Sequence, residues 1–142
     1  MSTICKDVMT SNPVCCVPEE TVDLAERLMK AEDVGSIPIV EDADGRKLIG
    51  IVTDRDLAVE VVAEGRDPKN TRISEVMKRA LFTCRDTDRV EEVLDSMSKH
   101  QVRRIPVVDQ QGCIVGIIAQ GDLATRLDEP EKTGEVVASI SR

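Results

Sequence analysis

The 142-residue sequence has no tryptophan, no tyrosine and a single phenylalanine, Phe82. Proteins that hold single-stranded nucleic acid stack bases on aromatic rings, so this chain lacks the means for that mode. Any base it binds must be held by aliphatic side chains and backbone. Clustered basic charge is missing too. Nineteen lysines and arginines face 27 aspartates and glutamates, for a net charge of −8, which opposes non-specific binding to nucleic-acid phosphates. No apolar run approaches the roughly 18 residues of a membrane span, and the opening MSTICKDVMTSNP has Lys6 and Asp7 where a secretion signal would be apolar. The five cysteines (Cys5, Cys15, Cys16, Cys84 and Cys113) form no C-x-x-C pair, the usual spacing of zinc sites. One histidine, His100, cannot build a typical metal site. It ends an amphipathic helical pattern, where a surface cation is favoured. Neither CC nor TC resembles a nucleophile motif, so no catalytic residue and no metal ligand are assigned. These readings give a non-enzymatic cytoplasmic protein with reduced thiols and neither nucleic acid nor membrane as a partner. The composition, 41% hydrophobic and 32% charged, is that of a folded chain.

What is present is a duplication. GIVTDRDLA (Gly50–Ala58) recurs as GIIAQGDLA (Gly116–Ala124). Ile37-Pro38-Ile39-Val40 returns 68 residues on as Ile105-Pro106-Val107-Val108, and the same offset pairs Val8-Met9 with Val76-Met77 and Cys16 with Cys84. The offset then shortens to 66, because EDADGRKLI becomes DQQGCIV in a loop, where length changes are tolerated. The repeats divide as residues 1–66 and 67–142, with a tail from 128 that reads as loop and a weak terminal helix. A half of this size is marginal alone, so the two are expected to share a core as one module.

Each copy has the same plan. Short strands are expected at 14–17 and 81–84. Helices over 21–32 and 87–100 carry one apolar face. Two further strands, 37–41 and 48–52 in the first copy, are joined by Asp44-Gly45, a turn matched by 109–112 in the second. A closing helix opens at TDRD or QGDL. The class is α+β, two β-α-β-β-α repeats related by a pseudo-twofold axis around a central cleft. Pro38 and Pro106 suit a strand start or edge better than its middle.

The TDRD phrase has two readings. In one, Thr53 caps the closing helix and Asp56 reaches back to it, a capping box worth ~1 kcal/mol. In the second copy Ala119 replaces the threonine and Gly121 weakens the first turn, yet Asp122 persists. A carboxylate kept without its capping partner favours a second role, although the helix dipole could also retain it.

These features together, GSIPIVEDADGRKLIGIVTDRDLA (Gly35–Ala58), VRRIPVVDQQGCIVGIIAQGDLA (Val102–Ala124) and the two V-M pairs, resemble a tandem of cystathionine-β-synthase (CBS) domains, a Bateman module, over about residues 3–128. The chain is similar to the bacterial stand-alone CBS pairs. The resemblance implies an adenosine-containing ligand (AMP, ADP, ATP, NAD or S-adenosylmethionine) in the cleft, and pairing of modules into a homodimer. It implies that Asp56 and Asp122 accept the ribose hydroxyls as charge-assisted bonds. Thr53 then donates to phosphate or ribose beside a helix N-terminus that attracts phosphate. Basic residues before the Ile-Pro strand, here Arg103 or Arg104, would hold phosphate, and at most one of the two enters the cleft, since successive strand residues alternate faces. Lys78 is expected to help them in the second copy, where the first copy offers Thr10. Adenine would lie against Ile37, Pro38 and Val14, or against Ile105, Pro106 and Phe82, unless these are plain core.

The expected function is a non-enzymatic, energy-sensing regulatory module that binds an adenine nucleotide as its regulatory ligand and requires no cofactor. Its output would pass to an unidentified protein partner in trans. The rivals are a ligand-free structural dimerisation module and a thiol-responsive CBS protein, with Cys16 and Cys84 approaching each other across the axis.

Overall fold

The computed structural model describes residues 3–79 and 82–121. In chain order they form α1 (Cys5–Val8), β1 (Thr10–Ser11), α2 (Val22–Glu32), β2 (Ser36–Val40), β3 (Leu48–Thr53) and α3 (Asp54–Leu57). A π-helical turn (Ala58–Val62) continues α3, and a 3-10 turn (Ile73–Glu75) follows. The rest is β4 (Cys84–Arg85), α4 (Val90–His100), β5 (Arg104–Val108) and β6 (Ile114–Ala119). The tail and the closing helix of the second repeat beyond residue 121 lie outside the described residues.

The helices follow their apolar stripes. Val22, Ala25 and Met29 are buried on α2, and Val90, Val93, Leu94 and Met97 on α4. Both end on a residue in the left-handed region, Asp33 (φ 54) and Gln101 (φ 54). The backbone N–H of each returns to the helix's last carbonyls, Met29 in α2 and Met97 in α4, the common way to stop a helix. α4 starts three residues later than its sequence pattern suggests. Arg85–Asp88 form a turn in which the Asp88 N–H donates to the Arg85 carbonyl at 3.0 Å and the Asp88 carboxylate accepts the Arg85 N–H at 2.8 Å.

The strands at 14–17 shrink to one bridge, Cys16 with Ile39, in parallel. Pro13 and Pro18 bracket the segment, and neither has an N–H to extend a ladder. β2 and β3 pair antiparallel, as do β5 and β6, with a register irregularity at equivalent places, Ile39/Val40 and Val107/Val108. The prolines fall mid-strand, contrary to expectation. Ile51 commits its N–H and carbonyl to Lys78 (3.0 and 2.9 Å), so the facing pair Pro38–Ile51 exchanges no bonds. The missing N–H of Pro38 instead faces the Cys16 segment, which begins to pair only at Cys16. Pro106 stands opposite Ile117, which pairs with Thr10, in the same arrangement.

Two compact units result, and they do not follow the sequence repeats. One comprises Met1–Asn12 with Phe82–Arg142, the other Pro13–Leu81. The boundary at 66/67 is thus one of sequence only, because the opening segments of the two repeats are exchanged. In the first-repeat unit, Ile73 and Ser74 donate to the carbonyls of Glu20 (2.8 Å) and Pro18 (3.0 Å). In the other, Cys5 and Lys6 donate to Asp88 (2.9 Å) and Asp86 (3.0 Å), which are the same positions 68 residues on. The sheet order β1-β6-β5-β4 has its counterpart in the Lys78 bridge, β3, β2 and the Cys16 bridge. The crossing is possible because Gly50 and Gly116 lack a side chain. A Cβ at Gly50 would meet the Lys78 carbonyl at 2.9 Å, and one at Gly116 would run into Met9. Each unit has its own core, one around Ile37, Ile39, Leu57 and Ile73 and the other around Leu94, Met97, Ile105 and Ile118.

Candidate functional site

The end of β3 delivers Thr53 to the start of α3. The Thr53 hydroxyl accepts the Asp56 N–H at 3.1 Å, and the Asp56 Oδ2 accepts the Thr53 N–H at 3.0 Å. The capping box is fully formed. Asp56 is almost wholly buried, at 5% exposed, and its other oxygen, Oδ1, faces Lys78 Nζ at 3.2 Å. One buried carboxylate therefore holds a helix start and an exposed ammonium together. Accepting a bond leaves the Thr53 hydroxyl its proton to donate. Ser36, also buried, stands opposite Thr53 in the ladder.

Lys78 corrects a sequence expectation. Its place in the sequence groups it with the second copy's arginines, but the exchange of opening segments brings it to Asp56. Thr10, its counterpart 68 residues earlier, is exposed on β1 and pairs with Ile117 in the other unit. The hydroxyl and the ammonium thus trade places between repeats. Both repeats keep a glycine in mid-strand, which admits a crossing backbone but does not say which segment supplies it.

In the second repeat the Gln120 N–H meets the Arg103 carbonyl at 2.9 Å, as the Asp54 N–H meets Gly35 at 3.0 Å. Both Arg103 and Arg104 are exposed. Arg104 pairs with Ala119 as Ser36 pairs with Thr53, and facing residues of a ladder share a sheet face. Arg104 is therefore the arginine on the side where the threonine would stand. Asp122 lies outside the described residues.

The expected adenine contacts divide. Ile37 and Ile105 are 0% exposed and belong to the two cores, so their side chains pack within the fold and have no surface for a ligand. Pro38 and Pro106 are buried beside them, and Val14 is half-buried. Phe82 is 47% exposed, and its ring stacks on His100 with centroids 3.8 Å apart and planes 13° apart. A groove of about 420 Å³ opens elsewhere on the first-repeat unit, between α2 and α3, with charged walls from Asp23, Arg27, Lys30 and Asp54.

Two copies of one small α+β unit, each with a helix packed on an antiparallel hairpin, the first feeding a short helix through a T-x-x-D turn, define a class of repeat module. The chain belongs to the CBS-domain family, which matches it twice, over residues 5–63 and 73–129. It is 40% identical over 136 residues to the CBS domain-containing protein YhcV of Bacillus subtilis (strain 168), covering 96% of this chain and 94% of that one. A solved structure of Hypoxic Response Protein I with two coordinated zinc ions is 33% identical, with a TM-score of 0.79, over 88% of this chain and 99% of that one. Among the described residues here, no group of three or more His, Cys, Asp and Glu could hold a metal. The CBS domain pair of protein MJ0100, solved with 5′-methylthioadenosine and S-adenosyl-L-methionine, is 29% identical with a TM-score of 0.77, over 88% of this chain and 95% of that one. No helix among the described residues is long and apolar enough to cross a membrane.

Proposed function

We propose that this CBS pair is a non-enzymatic sensor that binds an adenosine-containing nucleotide at Thr53, Asp56 and Lys78 and passes the change to a protein partner. The observation that carries this reading is the Asp56 carboxylate, whose Oδ1 is held, among the described residues, by an ammonium that is itself 68% exposed. A vicinal diol can take over the carboxylate oxygen, which frees Lys78 for phosphate and leaves the Thr53 cap intact. The adenosine compounds bound by the MJ0100 pair support the same ligand class. Of the nucleotides considered, AMP fits best, with one phosphate for one lysine and one hydroxyl. The Arg104 side of the second repeat suits more highly charged ligands. Self-association through helices is supported by Val59 and Val62, exposed at 47% and 66% beside α3.

Isothermal titration with AMP, ATP, NAD and S-adenosylmethionine tests the reading. Binding to the wild type that is lost in Asp56→Ala supports it. At 100 times the Kd, ligand should stabilise the fold by about 2.7 kcal/mol. No heat and no thermal shift with any of the four would leave a structural module.

A further inference from the structure

Val14 keeps some exposed surface, while Ile37 and Pro38 are buried. Its two neighbours are held by one distant side chain. Arg46, half-buried in the turn between β2 and β3, donates from Nη2 to the Pro13 carbonyl at 3.0 Å and to the Cys15 sulfur at 3.4 Å. The Cys15 thiol donates to the same carbonyl at 3.3 Å. Burial raises the Cys15 pKa against the charge of Arg46, so the thiol keeps the proton it donates. Val14 is thus clamped on both sides. Arg46 makes these bonds from a strained backbone, with φ 58, in the left-handed region that disfavours a residue with a Cβ. The second repeat has Gly112 at that position, 66 residues on, with φ 84. There Phe82 stands in place of Val14 and stacks on His100. An arginine standing where glycine is easier points to work done by its side chain.

The sheet sets what lies before Val14. The first-repeat unit runs from the Lys78 bridge through β3 and β2 to the Cys16 bridge. Ser36, at the start of β2, faces Thr53 at the end of β3. The Cys16 segment runs parallel to β2, so Val14, before Cys16, comes back toward that same end. A nucleotide carries its phosphate and its base on opposite sides of the ribose. With the diol on Asp56 and the phosphate on Lys78, the base extends across β2 toward the Val14 segment, two strand spacings or about 10 Å from β3. We propose that Arg46 is a positioning residue that holds Val14 as the apolar seat of the base, which rests on the nucleotide site at Asp56 and Lys78. A seat fixed before binding spares the ligand the ordering of the segment around Val14.

The test is titration of the full chain with AMP and with ribose 5-phosphate, followed by the amide shifts of Thr53 and Asp56. Arg46→Gly removes the clamp and relieves the left-handed backbone, so the variant should fold. With the segment in place about a tenth of the time, its AMP affinity should fall about tenfold. Its affinity for ribose 5-phosphate, which has no base, should stay. Arg46→Lys keeps a donor for the Pro13 carbonyl and should recover most of the AMP affinity. A role in turn geometry alone gives the opposite order, with the glycine variant at least as good as the lysine one. An unchanged AMP affinity in Arg46→Gly, or an equal loss for ribose 5-phosphate, overturns the proposal and leaves the Asp56 site standing. A wild type that binds neither compound overturns both.

Discussion

Asp56 serves two structural partners with one carboxylate, and the two should separate on substitution. Asp56→Ala removes the return bond of the capping box and is expected to cost about 1 kcal/mol in urea denaturation. Lys78→Met removes an ion pair whose ammonium is largely in water, so stability should stay within about 0.5 kcal/mol. Affinity for AMP should nevertheless fall more than affinity for adenosine. Equal losses for both, measured by titration, would remove Lys78 from the phosphate. Cys16 gives a pH effect with a definite sign. Its thiol is raised from 9.0 to about 12 in the fold, so its contribution is complete below pH 9. The contribution declines as the unfolded thiol ionises, and is lost as pH rises towards 12. Cys16→Ala should flatten that part of the denaturation midpoint-against-pH curve. The capping residues were legible from the T-x-x-D spacing alone. The partner on Oδ1 was not, because it arrives from a segment that sequence assigns to the other repeat.

At the scale of elements, the two hairpins and the two long helices were legible because both periods, two and 3.6, run cleanly through them. The short flanking strands were less so, since Pro13 and Pro18 trim the first to a single bridge and the second pairs only at Cys84–Arg85. Two kinds of position control how the elements fit. Gly50→Ala places a methyl group against the Lys78 backbone and is expected to cost about 1–3 kcal/mol. It should also loosen Lys78 from Asp56, read as lost amide protection at Ile51. Gln101→Gly relieves a left-handed backbone at the end of α4 and is expected to stabilise by roughly 0.5–1 kcal/mol, measured by thermal denaturation.

The whole molecule is a duplication whose halves exchange their opening segments. Repeat matching found the duplication but not the exchange, because pairing partners leave no mark on spacing within a repeat. A deletion of residues 1–12 distinguishes the two arrangements. Hydrogen exchange should show lost protection in β5 and β6, with β2 and β3 retained. Loss in β2 and β3 instead would return the opening segment to its sequence neighbour.

The exchange also sets an order of completion during synthesis. As the nascent chain leaves the ribosome, Pro13–Leu81 has every strand it needs once Lys78 has emerged. The first dozen residues, made before all of it, must wait for β6, roughly 40 residues later, about 2–8 s at ordinary elongation rates. The earliest part of the chain is thus among the last to find its place, and a translational pause after Lys78 would lengthen the time it stays unpaired.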